Sequence, residues 1–181
     1  MGRALLVVAP RDFRDEELFD TKAELEHAGH TCVIASHTIG RCTGIRGRTT
    51  RAEIAIDEVD VGDYDAVVFV GGPGARVFFS DAAATTLARA AYDAGKVVGA
   101  ICIAPVILAL AGVLHERRAT AFPSDIAELR YGGARYAGPG VTSDGKVITA
   151  SGPEHAVAFG KALVRALQPS ASASTSPSPS N

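Results

Sequence analysis

Three short β-type runs, Ala4–Ala9, Ala66–Val70 and Lys96–Ile101, are apolar almost without interruption, and each is followed by a turn and a helical pattern. A strand that is apolar on both sides must be covered on both faces, as in a parallel sheet held between two layers of helices. The helical patterns supply those layers. Glu16–Ala28 puts Leu18, Ala23, Leu25 and Ala28 on one side before a stop at Gly29, and Asp81–Ala94, Ala104–Ala111 and a last segment from Gly152-Pro153-Glu154 to about Leu167 follow. Further strands are expected at Thr31–Ala35, Ala119–Phe122 and Lys146–Ala150, the last after a Ser143-Asp144-Gly145 turn, with Gly40–Ala52 as a polar excursion. The alternation predicts a doubly wound, mostly parallel α/β sheet with helices on both faces.

The chain is 181 residues long, which suits one domain, expected over residues 1–167. Residues 168–181 are nearly all Ser, Ala, Thr and Pro, so a disordered tail is expected there. With 18 Lys+Arg against 20 Asp+Glu the formal charge is −2, which excludes general attraction to phosphate backbones or anionic lipid surfaces. A small-molecule substrate is the partner this leaves, with no nucleic acid and no membrane. The apolar stretch Val97–Leu114 begins as a strand and is broken at Gly99, Pro105 and Gly112, so it is not a membrane span. The segment before Ala4 is too short for a signal peptide, and the expected location is the cytoplasm, where the 3 cysteines stay thiols.

Asn181 is the only Asn and Gln168 the only Gln. An oxyanion hole inside the domain must therefore use backbone N–H groups or hydroxyls, and a Cys-His-Asn triad cannot be built. The sharpest candidate for chemistry is Cys102, where the strand ending Gly99-Ala100-Ile101 runs straight into a helix that opens with Ile103-Ala104-Pro105. A nucleophile on such an elbow is held out of the sheet, the N–H groups after it, that of Ile103 first, meet a developing oxyanion, and the helix start favours the thiolate. The alternative is a small buried hydrophobic residue. Gly71 and Gly72, at the end of the preceding strand, lie on the same carboxyl edge, where such sheets bind ligands, and offer further backbone N–H groups. The acidic helix start Asp15-Glu16-Glu17 supplies dipole-complementing charge, or one inward carboxyl that acts as a proton carrier; periodicity does not separate Glu17 from Glu16.

His155, at the start of the last helix, is either an accessory group or a solvated histidine, with the second reading preferred. His27, His30, Cys32 and His37 lack the spacing of a metal site, so no metal is expected. Cys32 and Cys42 read as ordinary thiols, and Arg41, Arg46, Arg48 and Arg51 as a solvated loop or a device for steering an anionic substrate.

Taken together, Phe13-Arg14-Asp15-Glu16-Glu17-Leu18, Gly71-Gly72, Ala100-Ile101-Cys102-Ile103-Ala104-Pro105, Leu114–Thr120 and the Gly152-Pro153 turn resemble the ThiJ/PfpI superfamily over about residues 3–167. That superfamily includes deglycases, peptidase-like proteins and cofactor-independent glyoxalases. The resemblance implies a flavodoxin-like fold, a homodimer or higher homo-oligomer, no cofactor, Cys102 as reactive centre and Glu17 as the carboxyl beside it. The chain departs from the pattern at two places. Ile103 stands where peptidase-like relatives carry a histidine, and Phe122 where deglycase-like relatives carry one before the proline. Amide hydrolysis needs a base that later protonates the leaving amine, whereas thiolate addition to a reactive aldehyde needs a thiol, oxyanion donors and one proton shuttle. The expectation is therefore a glyoxalase- or deglycase-like enzyme of small carbonyls using Cys102 and Glu17. A sensor of oxidative stress that oxidises Cys102 is the alternative, and a peptidase, hydrolase or hydratase the third reading.

Overall fold

The computed structural model describes residues 1–169. The tail beyond them, expected from the sequence to be disordered, lies outside the described residues. The chain runs β1 (Arg3–Val7), β2 (Arg11–Phe13), α1 (Asp15–His27), β3 (Thr31–Ser36), β4 (Gly40–Gly44), β5 (Thr49–Ala52), β6 (Ile54–Ala55) and β7 (Ala66–Phe69). It continues through α2 (Ala82–Asp93), β8 (Val97–Ile101), α3 (Pro105–Leu110), β9 (Arg118–Ala119), α4 (Ile126–Tyr131), β10 (Arg135–Tyr136), β11 (Val141–Asp144), β12 (Val147–Ala150) and α5 (Ala156–Leu167).

The central sheet has seven strands in the order β11-β12-β8-β7-β1-β3-β6. All neighbours are parallel except β11, which closes one edge as the antiparallel arm of a hairpin with β12. From β1 the chain crosses one way to β3 and then returns to β7, β8 and β12 on the other side. Right-handed crossovers in opposite directions place their helices on opposite faces, and α1 accordingly packs with α5 while α2 packs with α3. The reversal of strand order beside β1 opens a crevice at the carboxyl edge, the usual ligand position in open α/β sheets. This is the flavodoxin-like arrangement, in a single domain.

Leu5, Leu6, Val67, Val68 and Val98 are fully buried, so the continuous apolar runs do sit between two helical layers. Gly99 on β8 is required by packing: a Cβ there would lie 2.8 Å from Leu163 Cδ2 and 3.1 Å from Phe159 Cζ, both on α5. Two expectations need correction. Gly40–Ala52 is not a loop but the antiparallel pair β4–β5, which joins β2 in a separate three-stranded sheet. Its polar, Gly-containing sequence lacks the apolar alternation of a core strand because it lies outside the helix-covered sheet. The strand expected at Ala119–Phe122 shortens to β9, which pairs with β10 and not with the central sheet. No helix among the described residues is long and apolar enough to cross a membrane.

Candidate active site

At the end of β8 the backbone of Cys102 turns into the left-handed region, with φ 65°. A side chain with a Cβ reaches that conformation only at a cost, and the neighbours hold it there. Cys102 N–H donates to Ala150 O at 2.9 Å, and Cys102 O accepts the Phe122 N–H at 2.7 Å. The elbow thus carries the thiol out of the sheet plane, into a pocket of about 260 Å³ whose lining includes Glu17, Gly72, Ile103 and Phe122. Cys102 is 7% exposed, so reagents reach it through that pocket.

Glu17 lies one turn into α1, on the face it shares with the buried Thr21 and Leu25. The burial of Thr21, which only the folded structure shows, is what places Glu17 and not Glu16 on the inward face. The Glu17 side chain is fully buried, with Oε2 accepting the Gly71 N–H at 2.8 Å and Oε1 without a hydrogen-bond partner among the described residues. The other two acids do different work. Asp15 accepts the Arg46 and Arg48 N–H groups at 2.8 and 3.0 Å and so pins the β4–β5 turn to the start of α1, while Glu16 pairs with Arg14 and Arg46.

Gly71 is where carboxyl and thiol come together. A Cβ at this position would lie 2.6 Å from Glu17 Oε2 and 2.7 Å from Cys102 Cβ, so no other residue fits without displacing one of them. The Gly71 N–H, expected to serve an oxyanion, is occupied in positioning Glu17. Gly72 and Ile103 remain as the backbone donors, and their N–H groups both stabilise negative charge on the Cys102 sulfur. Gly72 adopts φ 98°, open to glycine at little cost.

Burial is the largest electrostatic influence on both groups. It pushes Glu17 up to about 7, with the Cys102 thiol, the Gly71 N–H and Arg14 pulling part of the way back. It also pushes Cys102 up to about 12, a rise that the Glu17 charge reinforces and the Gly72 and Ile103 N–H groups oppose. The expectation that the helix start favours the thiolate is therefore corrected: desolvation and the neighbouring Glu17 charge raise the thiol despite the Gly72 and Ile103 N–H groups. Once Glu17 takes the proton, the charge that disfavours the thiolate is gone. Transfer from thiol to carboxylate leaves the pocket's net charge unchanged, which makes the pair a one-proton unit.

The remaining candidates lie elsewhere. His155 does not line the pocket; its Nε2 is 3.4 Å from Glu154 Oε1. His30 Nδ1 accepts the Gly2 N–H, and His37 pairs with Asp81 at 2.8 Å. Among the described residues, no three His, Cys, Asp or Glu side chains are grouped to hold a metal ion. Cys42 is buried, and burial pushes Cys32 up to about 11. Of the loop arginines, Arg48 stacks on Phe19 at 3.5 Å, and none lines this pocket. The arginines that do line it, Arg14 and Arg76, come from the acidic helix start and the glycine turn, together with Ser124, which donates to the buried Asp125. The Pro123-Ser124-Asp125 segment was readable as a polar turn at the carboxyl edge, but only the fold brings it to Cys102.

A doubly wound sheet with a cysteine on its strand-to-helix elbow, set against a buried carboxyl from the first helix, defines a class of α/β proteins. The sequence model of the DJ-1/PfpI family matches residues 2–166, and the chain belongs to that family. An uncharacterized protein of Methanocaldococcus jannaschii is 41% identical over 170 residues, covering 92% of this chain and 83% of the relative. A deglycase of Pyrococcus abyssi is 30% identical, covering 91% of this chain and 99% of the relative. Among solved structures, a ThiJ/PfpI domain protein from Brachyspira murdochii superposes with a TM-score of 0.90 at 34% identity, covering 91% of this chain and 95% of that one.

Proposed function

We propose that the chain is a cofactor-independent cysteine enzyme that converts small 2-oxoaldehydes to 2-hydroxy acids. The observation that carries this reading is the buried Glu17, pushed up to about 7, beside a thiol that lines the same small pocket. A carboxyl with that proton affinity both takes and returns a proton near neutral pH. The deglycase name of the Pyrococcus abyssi relative supports carbonyl chemistry.

In the proposed sequence Cys102 passes its proton to Glu17, and the thiolate adds to the aldehyde carbon. The carbonyl electron pair moves to oxygen, where the Gly72 and Ile103 N–H groups stabilise the charge until Glu17 passes its proton to that oxygen and becomes a carboxylate again. Glu17 then removes the proton from the former aldehyde carbon and delivers it to the adjacent carbon, while the hydroxyl proton on the former aldehyde oxygen passes to the neighbouring oxygen, giving a 2-hydroxyacyl thioester. Water hydrolyses the thioester, releasing the hydroxy acid and restoring the thiol. No oxidant or reductant is consumed. Peptidase chemistry lacks support here, since Ile103 and Phe122 bring apolar surface where a base for the leaving amine is needed.

The test is production of lactate from methylglyoxal, and of glycolate from glyoxal, by reduced protein without added cofactor. Turnover by the wild type that is lost in Cys102→Ala and falls about 10²-fold or more in Glu17→Gln supports the mechanism. Absence of turnover in folded, reduced wild type overturns it. The raised proton affinity of Glu17 also favours a second reading, in which peroxide oxidises Cys102 to a sulfinate that accepts a hydrogen bond from the protonated carboxyl. Peroxide titration followed by intact mass separates the two: selective gain of two oxygens at Cys102, without carbonyl turnover, supports the sensor.

A further inference from the structure

The mouth of the Cys102 pocket has a chemistry that neutral dicarbonyls do not use. Arg76 lines it with a side chain 58% exposed, held by one long polar contact, 3.4 Å, to Asp125 Oδ1 and lying over the Phe79 ring at 5.7 Å. Arg14 lines it from the opposite element, and its Nε is committed to Glu16 Oε2. Neither guanidinium has its full set of five donors occupied by protein groups. Asp125, only 2% exposed, anchors Arg76 and accepts the Ser124 hydroxyl, so this wall of the pocket is fixed from behind. Glu16 is shared between Arg14 and Arg46, so it neutralises Arg14 only in part. Pro73, Phe122 and Pro153 line the same pocket and give a carbon chain apolar surface on its way to the sulfur.

We infer that the preferred substrate is a 2-oxoaldehyde bearing its own carboxylate, with the aldehyde at Cys102 and the carboxylate held by Arg76 and Arg14 at the mouth. This rests on the carbonyl reading of the same site and adds the substrate class. A guanidinium binds a carboxylate through two parallel N–H···O bonds, which fixes orientation as well as affinity. The arginines also hold that group away from the negative charge which Cys102 and Glu17 share.

The experiment compares 4,5-dioxopentanoate with its methyl ester, a pair matched in chain and differing in charge. The wild type is expected to show kcat/KM about tenfold or more higher for the acid, carried mainly by KM. Arg76→Gln, which keeps a donor toward Asp125 while removing the charge, is expected to collapse that ratio toward one, and Arg76→Lys to restore part of it. A ratio at or below one in the wild type, or a ratio that Arg76→Gln leaves untouched, overturns the inference. A second arm needs no turnover: Cys102 is alkylated with iodoacetate and with iodoacetamide, and the adduct is followed by mass. An anion preference over the free-thiol ratio that disappears in Arg76→Gln supports the anion site even where the catalytic reading fails. Turnover of dicarbonyls together with no charge preference in either arm refutes the substrate class while leaving the enzyme reading standing.

Discussion

Gly71 and Glu17 hold each other in place through both ends of one peptide unit's neighbourhood. The Gly71 N–H donates to Glu17 Oε2 at 2.8 Å, and the Gly71 carbonyl accepts, at 3.0 Å, the N–H of Arg14, the residue that caps the helix carrying Glu17. The carboxyl is thus positioned from the end of β7 and not by its own helix alone. Any side chain at residue 71 is excluded by the groups it would separate.

Gly71→Ala therefore tests the site's geometry with one methyl group. Its Cβ would meet Glu17 Oε2, Ile101 O and Cys102 Cβ at 2.6, 2.6 and 2.7 Å, two of these belonging to the proposed proton shuttle and nucleophile. The variant is expected to lose about 1–3 kcal/mol of stability by overpacking. Carbonyl turnover should fall by about 10²-fold, since small misplacements of reacting groups cost rates of that order. Chemical denaturation alongside steady-state kinetics checks both.

The buried carboxyl makes stability depend on pH. Folding raises the Glu17 pKa from 4.5 to about 7, so between those values the native state binds more protons than the unfolded chain. Stability then falls as pH rises through that window, and the full penalty, on the order of 3 kcal/mol, is present above the folded value. Glu17→Gln removes this contribution. Its stability at pH 8 should exceed that of the wild type, and the two should converge near pH 4; urea unfolding at both pH values reads the difference.

The strained elbow predicts an inverse relation between stability and chemistry. With φ 65° at Cys102, glycine suits the backbone better than any residue carrying a Cβ. Cys102→Gly should unfold at higher denaturant than Cys102→Ala, by about 1 kcal/mol, although both lack turnover. Equal stability of the two variants, measured at one pH, would show that the elbow is unstrained.

Much of the architecture was legible because it rests on local pattern. Ala4–Ala9, Ala66–Val70 and Lys96–Ile101 are apolar on both sides, and a parallel sheet under two helical layers is the arrangement that buries both. The β4–β5 hairpin was not legible, because strands outside the helix-covered sheet need no apolar period, and what fixes their turn is Asp15, from a different element. At the site, Cys102 showed itself through the strand-to-helix junction around it. Glu17 was not separable from Glu16 by periodicity, because a buried acid and a buried Thr21 break the apolar rule by which inward faces are recognised.

By itself, then, the sequence determined the sheet, the elbow and the residue types available to chemistry, including the absence of side-chain amides within the domain. Those follow from short-range backbone and solvation physics, which act wherever the pattern occurs. Only the tertiary structure decided that the Gly71 N–H serves Glu17, that the thiol is driven up in pKa and not down, and that Arg14, Arg76 and Ser124 share one pocket. Desolvation and contact between residues more than fifty positions apart depend on how the layers close over the carboxyl edge, and no local pattern encodes that closure.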